Sequence, residues 1–274
     1  RPASNEREFL GAVRDLGAPL VVKTRRGGYD GKGQAVVREP RDAERAWDEL
    51  AHACEGPDGS SGGAHGGGGL IVERMVPWRR ELSIIGVRGR DGAVGFYPLT
   101  QNHHARGILR TSLAPAPGVD DATQRRAQDH LRTLMDHLGY VGVMALELFE
   151  DQDGALLGNE FAPRVHNSGH WTIEGALTSQ FENHLRAVAG LPLGSTALTG
   201  SRAAMVNFIG ALPAHRDLLA LDARWPGVRV HPHDYAKAPR PGRKVGHATL
   251  VQRPGCSDAD FDAALAALRS LAER

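Results

Sequence analysis

Glu160-Phe161-Ala162-Pro163-Arg164-Val165-His166-Asn167-Ser168-Gly169-His170-Trp171 is the densest polar stretch of the chain. It carries arginine, histidine, asparagine and serine with hardly any apolar run, so it does not read as a core segment. Trp171 sets it apart from a disordered one. An arginine in such a place can hold a small oxyanion bidentately; a polar surface loop is the other reading of the segment taken alone. Just upstream, Val141 to Phe149 and Leu156 to Phe161 read as strands joined by the turn Asp151-Gln152-Asp153-Gly154. That hairpin sets Glu147 on one strand and Asn159 and Glu160 on the next. Both strands are apolar enough to be expected buried, and buried unpaired carboxylates are costly. A hard Mg²⁺ ion, which keeps oxygen ligands and waters beside nucleotide phosphates, answers that cost better than a solvated hairpin face does.

Toward the N-terminus, residues 5–16 have helical spacing through Phe9, Leu10, Val13 and Leu16, and Ala18 to Lys23 is a short strand. The segment that follows, Lys23-Thr24-Arg25-Arg26-Gly27-Gly28-Tyr29-Asp30-Gly31-Lys32-Gly33-Gln34, leads into a second strand near Ala35. Glycines and lysines between strands suit a flexible cover whose backbone N–H groups meet phosphate. This is not the G-x-x-x-x-G-K-[ST] loop that opens a helix, and an ordinary glycine-rich hairpin stays open as the alternative. A helix is expected over 41–54 and a disordered surface loop over Gly56 to Gly69. Leu70 to Val76 is a strand ending in Glu73-Arg74-Met75-Val76, with Glu81 one short loop further. One acid there can accept from an adenine amino group while backbone reads the ring, and the other can bind ribose hydroxyls. Glutamate after an apolar strand is common, so this pattern is weak alone.

Toward the C-terminus, Leu82 to Val87 alternates as a strand, and 121–138 is an amphipathic helix stopped by Gly139. Ser179 with Glu182 forms a capping box for a helix through Phe181, Leu185 and Val188, ending at Gly190. Beyond Leu191 the pattern changes to short strands and Pro/Gly turns, with a last helix over 258–272. Between Tyr235 and His247, Arg240, Arg243 and Lys244 flanked by proline and glycine make a basic turn suited to a phosphate monoester. A solvated basic loop reads equally well.

Lys plus Arg number 33 against 32 Asp plus Glu in 274 residues, a balance that supports neither a nucleic-acid nor a membrane partner. Cys54 and Cys256 are the only cysteines and lack CxxC spacing, which points to a reducing compartment. With no apolar run approaching the ~20 residues of a membrane span and no apolar signal core, a cytoplasmic protein is expected.

GGYDGKGQ at 27–34, Gln101-Asn102-His103-His104 with Gly107-Ile108-Leu109, APRVHNSGHWT at 162–172 with Glu174-Gly175-Ala176, SQFENHLRAV at 179–188 and Gly242-Arg243-Lys244-Val245-Gly246-His247 together resemble the ATP-grasp superfamily. Within it they resemble the 5-(carboxyamino)imidazole ribonucleotide synthases of purine biosynthesis. The resemblance implies an α+β fold in which two α+β subdomains clasp ATP, a lid subdomain at 1–76 and a larger one at 77–198. A β-rich hybrid-motif subdomain at 199–274 completes it. An N-terminal α/β domain of such enzymes is expected to be absent from this chain. The implied activity is ATP- and bicarbonate-dependent carboxylation of 5-aminoimidazole ribonucleotide, by a homodimer. By resemblance Lys23, Gly28, Asp30, Gly31, Gly33 and Gln34 hold ATP phosphates, Glu73, Arg74, Met75 and Val76 the adenine, and Glu81 the ribose. His104, Asn159 and Glu160 also belong to the ATP site, and Glu147 and Glu160 would ligate Mg²⁺. Arg164 would hold bicarbonate and then carboxyphosphate, with His166, Asn167 and Ser168 lining the same pocket and Tyr29 closing over it. Lys237, Arg243 and Lys244 would grip the ribonucleotide phosphate. Related biotin carboxylases carry Asn where this chain has Ala162 and a glutamate base where it has Ser168, so both positions favour the purine branch. The rivals are formate-dependent glycinamide ribonucleotide transformylase and a non-catalytic nucleotide-binding module.

Overall fold

The computed structural model describes residues 1–26, 33–54 and 68–273. Two compact units are present, Arg1–Pro77 with Arg106–Ile108, and Trp78–Ala105 with Leu109–Arg274. The expectations placed on residues 27–32 and 55–67 lie outside the described residues, among them the sites read at Gly28, Tyr29, Asp30 and Gly31.

The first unit runs β1 (Pro2–Ala3), α1 (Glu6–Leu16), β2 (Leu20–Thr24), β3 (Gln34–Val37), α2 (Ala43–Leu50) and β4 (Leu70–Arg74). Its strands form one sheet in the order β1-β4-β2-β3. Helix α1 begins where the Asn5 side chain accepts from the Glu8 N–H, and ends at Gly17. Its apolar stripe, Phe9, Ala12 and Val13, is buried on Leu20, Val22 and Val72 of the sheet. A fully buried side chain of this size contributes roughly 1.5–3 kcal/mol. The helix expected over 41–54 is shorter, with 3₁₀ turns at Pro40–Asp42 and Ala51–Cys54 on either side of α2.

The second unit contains β5 (Trp78–Arg88), β6 (Val94–Phe96), β7 (Thr100–Ala105), β8 (Ile108–Ala114), α3 (Asp121–His137), β9 (Gly142–Asp151) and β10 (Leu156–Ala162). These are followed by α4 (Thr172–Gly175), α5 (Gln180–Ala189), β11 (Ala203–Ile209), α6 (His215–Arg224), β12 (Val228–Asp234), β13 (Lys244–Gln252) and α7 (Asp258–Ala272). A nine-stranded sheet runs β10-β9-β5-β7-β8-β11-β13-β12, with β6 added to β5. Strand β11 pairs with β8 on one side and β13 on the other, so the sheet is continuous across residue 198. Helix α3 packs Leu131 and Met135 against Leu82 and Ile84 of β5. Helix α7 packs Phe261 and Leu265 against Phe208 and Leu250.

Three expectations change here. Helix α6 occupies a region read as strands and turns, because Leu218 and Leu221 alone carry its buried side. Strand β10 is an edge strand, so Leu157 and Phe161 stay exposed where both strands of the hairpin were expected buried. Helix α5 starts at the Ser179 cap and stops at left-handed Gly190 as expected, yet buries Gln180, Asn183 and Ala187 while exposing Phe181, Leu185 and Val188. No described helix is long and apolar enough to cross a membrane.

Candidate active site

The site in the second unit is built on β9 and β10. Glu147 and Glu160 sit directly opposite each other in the antiparallel register. They are brought there by a register shift between Gly158 and Glu160, which takes Gly158 opposite Leu148 and Glu160 opposite Glu147. Paired positions share a face, so both carboxylates face the same way at the edge of the sheet. Glu147 is largely buried and Glu160 exposed. Burial pushes the Glu147 carboxyl up to about 7, His104 acting the other way and the charges of Glu160 and Glu81 adding to the rise. Glu150, further along β9, is also buried but is neutralised by Arg80 and by Arg79 at 2.9 Å. Glu147 instead faces His166 Nε2 at 3.5 Å.

Glu81 on β5 lies opposite Asn102 of β7 and Phe149 of β9. Its carboxylate meets His104 Nδ1. Burial works against charge on His104, but the hydrogen bond and charge of Glu81, with Glu147 behind it, raise its pKa.

The loop after β10 folds back over β5. Ser168 is fully buried, and its hydroxyl accepts from Ser83 Oγ at 2.9 Å and lies 2.8 Å from His166 Nδ1. Asn167 and Asn207 of β11 exchange amide hydrogen bonds at 2.7 and 3.2 Å, and Asn207 also donates to the Leu109 carbonyl at 3.0 Å. Gln180, at the start of α5, is 0 % exposed and brackets His166 on both backbone groups. Trp171 anchors the loop end, donating to Thr100 Oγ1 at 3.2 Å beneath the edge of Tyr97. Arg164 is exposed and donates to the Val165 carbonyl at 2.9 Å, which leaves most of the guanidinium fork facing outward.

A histidine cluster adjoins this loop. His233 of β12 and His247 of β13 are register partners and stack at 4.4 Å. His233 Nε2 meets Glu174 Oε1 at 2.7 Å, His247 Nδ1 meets Tyr235 Oη at 2.8 Å, and His170 packs on His247 at 5.3 Å. Burial lowers His166 to about 3, with Arg164 and Lys244 adding to it. It lowers His170 to about 4, again with Lys244, and His247 to about 2. The charge of Lys244 thus reaches Glu147, His104, His166 and His170. Lys237 lies over the Tyr235 ring at 5.2 Å, and Arg243 closes the basic turn, Nη1 donating to the Ala238 carbonyl at 3.3 Å.

In the first unit, Lys23 and Glu73 form an ion pair at 2.8 Å across neighbouring β2 and β4. Gln34 is the register partner of Lys23, and the Gly33 carbonyl accepts from Thr24 N–H at 2.7 Å. Met75 N–H donates to the Pro19 carbonyl at 3.0 Å, and Arg74 and Val76 flank it at the end of β4.

Sequence reasoning missed Ser83, Gln180, Asn207 and the Glu174–His233 pair. Ser83 and Asn207 are single polar residues inside apolar strands, and His233 is brought to His247 only by strand register. Gln180 gave no signal of its own, because only the fold shows that it, and not the apolar Phe181 beside it, is the buried residue of that turn.

Residues 2–181 match the ATP-grasp domain, and residues 203–254 the phosphoribosylaminoimidazole carboxylase C-terminal domain. The N5-carboxyaminoimidazole ribonucleotide synthase of Pseudomonas aeruginosa is 48% identical over 263 residues, 96% of this chain and 65% of that protein. That of Escherichia coli is 44% identical over 247 residues, 90% of this chain and 62% of that protein. The crystal structure of the Thermus thermophilus synthetase superposes with a TM-score of 0.81 at 47% identity, covering 98% of this chain and 66% of that one. The Aspergillus clavatus synthase in complex with ADP and 5-aminoimidazole ribonucleotide gives 0.79 at 28% identity, covering 99% and 67%. The chain spans 65% and 59% of the length of the first two curated relatives it matches. It belongs to the ATP-grasp family, and within it to the family of the N5-carboxyaminoimidazole ribonucleotide synthases.

Proposed function

We propose that this chain carries the ATP-grasp and C-terminal parts of an enzyme that carboxylates 5-aminoimidazole ribonucleotide at the expense of ATP and bicarbonate, in purine biosynthesis. The observation that carries the reading is the register pairing of Glu147 with Glu160, one carboxyl raised by burial, with an exposed Arg164 just beyond the end of β10. A bicarbonate oxygen attacks the γ-phosphorus of ATP and ADP leaves, giving carboxyphosphate. The exocyclic amine of the ribonucleotide then attacks the carboxyl carbon and phosphate departs. Arg164 holds the planar anion through both steps, and Asn167, clamped by Asn207, lines its pocket. Glu81 meets the ribose, Lys23 and residues 27–34 the phosphates, Glu73 to Val76 the adenine, and Lys237, Arg243 and Lys244 the ribonucleotide phosphate.

Glu147 and Glu160 offer hard carboxylate oxygens, and no group of three or more His, Cys, Asp or Glu converges among the described residues. Two such ligands suit Mg²⁺, which completes its shell from water and nucleotide phosphate and, when bound, neutralises charge on the phosphates. The subdomains are 1–76, 77–198 and 199–274, and the enzyme is cytoplasmic, with no nucleic-acid or membrane partner. The exposed side of α5, with Phe181, Leu185 and Val188, is the kind of apolar surface a homodimer would cover.

ADP release should require both bicarbonate and 5-aminoimidazole ribonucleotide. Turnover supported by formate and glycinamide ribonucleotide instead would overturn the reading.

A further inference from the structure

Gln180 pins the centre of the loop from Pro163 to Trp171, and a backbone group fixes which way its amide points. The His166 N–H is a donor, so the Gln180 atom 3.0 Å from it is the oxygen. The amide nitrogen then lies 2.7 Å from the His166 carbonyl and 3.2 Å from His170 Nδ1. One of its hydrogens goes to the carbonyl and the other to the histidine. Nδ1 of His170 is therefore an acceptor, and the proton of the neutral ring sits on Nε2. The other tautomer, with Nδ1–H turned to the His166 carbonyl, sets two N–H groups against each other across that 3.2 Å gap.

The lock is tight. The Gln180 N–H donates to Thr172 Oγ1 at 3.0 Å, and a Cβ added at Gly169 would fall 2.7 Å from Gln180 Oε1 and 2.3 Å from Ile85 Cδ1. Phe181 and His247 hold the His170 ring at 5.3 Å each, and Tyr235 meets it edge-on at 6.5 Å. Nε2 of His170 has no hydrogen-bond partner among the described residues. His170 is half-buried, whereas Nε2 of His247 is a buried atom without a hydrogen-bond partner among the described residues. The charges of Lys244 and Arg164 both reach this ring. A neutral N–H donor within the field of two cations is suited to an oxyanion.

We propose that His170, fixed by Gln180 as the Nε2–H tautomer, donates a hydrogen bond to an oxyanion that Arg164 and Lys244 also attract. Gln180 is the positioning residue. His170 is then a donor, and not the base that takes the amine proton. The inference rests on the carboxylation reading only for the identity of the anion, a bicarbonate-derived oxygen or the ribonucleotide phosphate.

Long-range proton–nitrogen correlation spectra of the isotope-labelled full chain at neutral pH report which ring nitrogen is protonated. The expected result is Nε2–H with a bare Nδ1, and a Gln180→Glu variant should move the proton to Nδ1. A wild-type ring protonated on Nδ1 overturns the lock. Bicarbonate (with ATP and Mg²⁺) and 5-aminoimidazole ribonucleotide are then titrated separately while the His170 Nε2 resonance is followed. A shift with either supports the proposal and names the anion; no shift with both overturns it. His170→Leu should weaken that anion's binding about tenfold, and His170→Gln, whose amide nitrogen can reach the Nε2 position, should restore most of it. Equal losses in the two variants, or none, overturn the donor role, even if Gln180→Glu fails to fold. The carboxylation reading fails separately, by ADP release that needs neither substrate, and the tautomer is read independently of that result.

Discussion

Burial acts on both ends of this site, with opposite results. At the carboxylate end, Glu147 is withdrawn from water beside Glu81 and Glu160, and its carboxyl is pushed up to about 7. At the histidine end, the same withdrawal drives His166, His170 and His247 down to about 3, 4 and 2. Desolvation disfavours whichever form is charged. One end is therefore short of positive charge and suited to a cation, while the other is held neutral and supplies hydrogen bonds. On the proposed reading, the metal-binding task falls to one end and the anion-binding task to the other, along the same few strands.

The largest expected effect is at Glu147. Its folded-state pKa lies above the ordinary 4.5, so its contribution to stability is full below pH 4.5 and is lost as pH rises through about 7. At pH 8 the metal-free fold bears a cost on the order of 3 kcal/mol for the ionised carboxylate. Glu147→Gln should remove that cost and raise the metal-free melting temperature at pH 8, by roughly 2–4 °C per kcal/mol. Mg²⁺-dependent ATP turnover should fall by at least ~100-fold. Glu160→Gln, at an exposed position, should lose turnover without the stability gain. Near-wild-type phosphate release from either variant at saturating Mg²⁺ would break the contrast at its metal end.

Next comes Arg164. Its recorded hydrogen bond is to the adjacent Val165 carbonyl, so lysine in its place should leave the melting temperature unchanged. Lysine cannot reproduce the two-pronged grip, and bicarbonate-dependent turnover should drop at least ~10-fold while ATP affinity stays as it is. A bicarbonate titration alongside thermal melts decides it. An unchanged bicarbonate response with a lowered melting temperature would make Arg164 a brace for the loop.

The histidine end should show itself in acid. A histidine that refuses its proton in the fold stabilises above pH 6.5, and that stability is lost as pH falls toward the folded value. By pH 5 each such histidine costs about 2 kcal/mol. His247→Gln should therefore flatten the fall in melting temperature between pH 7 and pH 5, whatever it does to stability at pH 7. A slope identical to wild type would mean that His247 is not kept neutral.

The carboxylate end was largely legible in the sequence, because an Asp-rich turn between two apolar strands puts Glu147 and Glu160 on neighbouring strands of one hairpin. Its strands fall at Gly142–Asp151 and Leu156–Ala162, close to where the pattern put them. The register shift at Asn159 that brings Glu160 opposite Glu147 left no such mark, since a shift of this kind depends on the partner strand. The histidine end was only partly legible. His166, Asn167, Ser168 and His170 announce themselves in one segment, but His233 reaches His247 only through the pairing of β12 with β13. Helix α5 misled by its composition. Its apolar residues suggested a core face, whereas the fold buries Gln180, which holds the His166 backbone, and Asn183, which holds Gly194 and the Tyr97 hydroxyl.

The smallest effect is expected where the two ends meet, at Ser83. This fully buried serine lies opposite Glu147 in the β5–β9 register, and its hydroxyl donates to Ser168 Oγ at 2.9 Å. Ser168 passes the contact on to His166 Nδ1 at 2.8 Å. Ser83→Ala removes one neutral hydrogen bond and leaves Ser168 one donor short, a loss of about 1 kcal/mol, or roughly 2–4 °C. His166 should keep its tautomer, because the Ser168 hydroxyl and backbone N–H, the latter at 3.4 Å, still point at Nδ1. Turnover should then stay within about twofold of wild type, a barrier change under ~0.5 kcal/mol. If Ser83→Ala instead abolished ATP turnover while melting normally, the serine bridge would be coupling the metal end to the histidine end. The two could then no longer be treated as separately tuned.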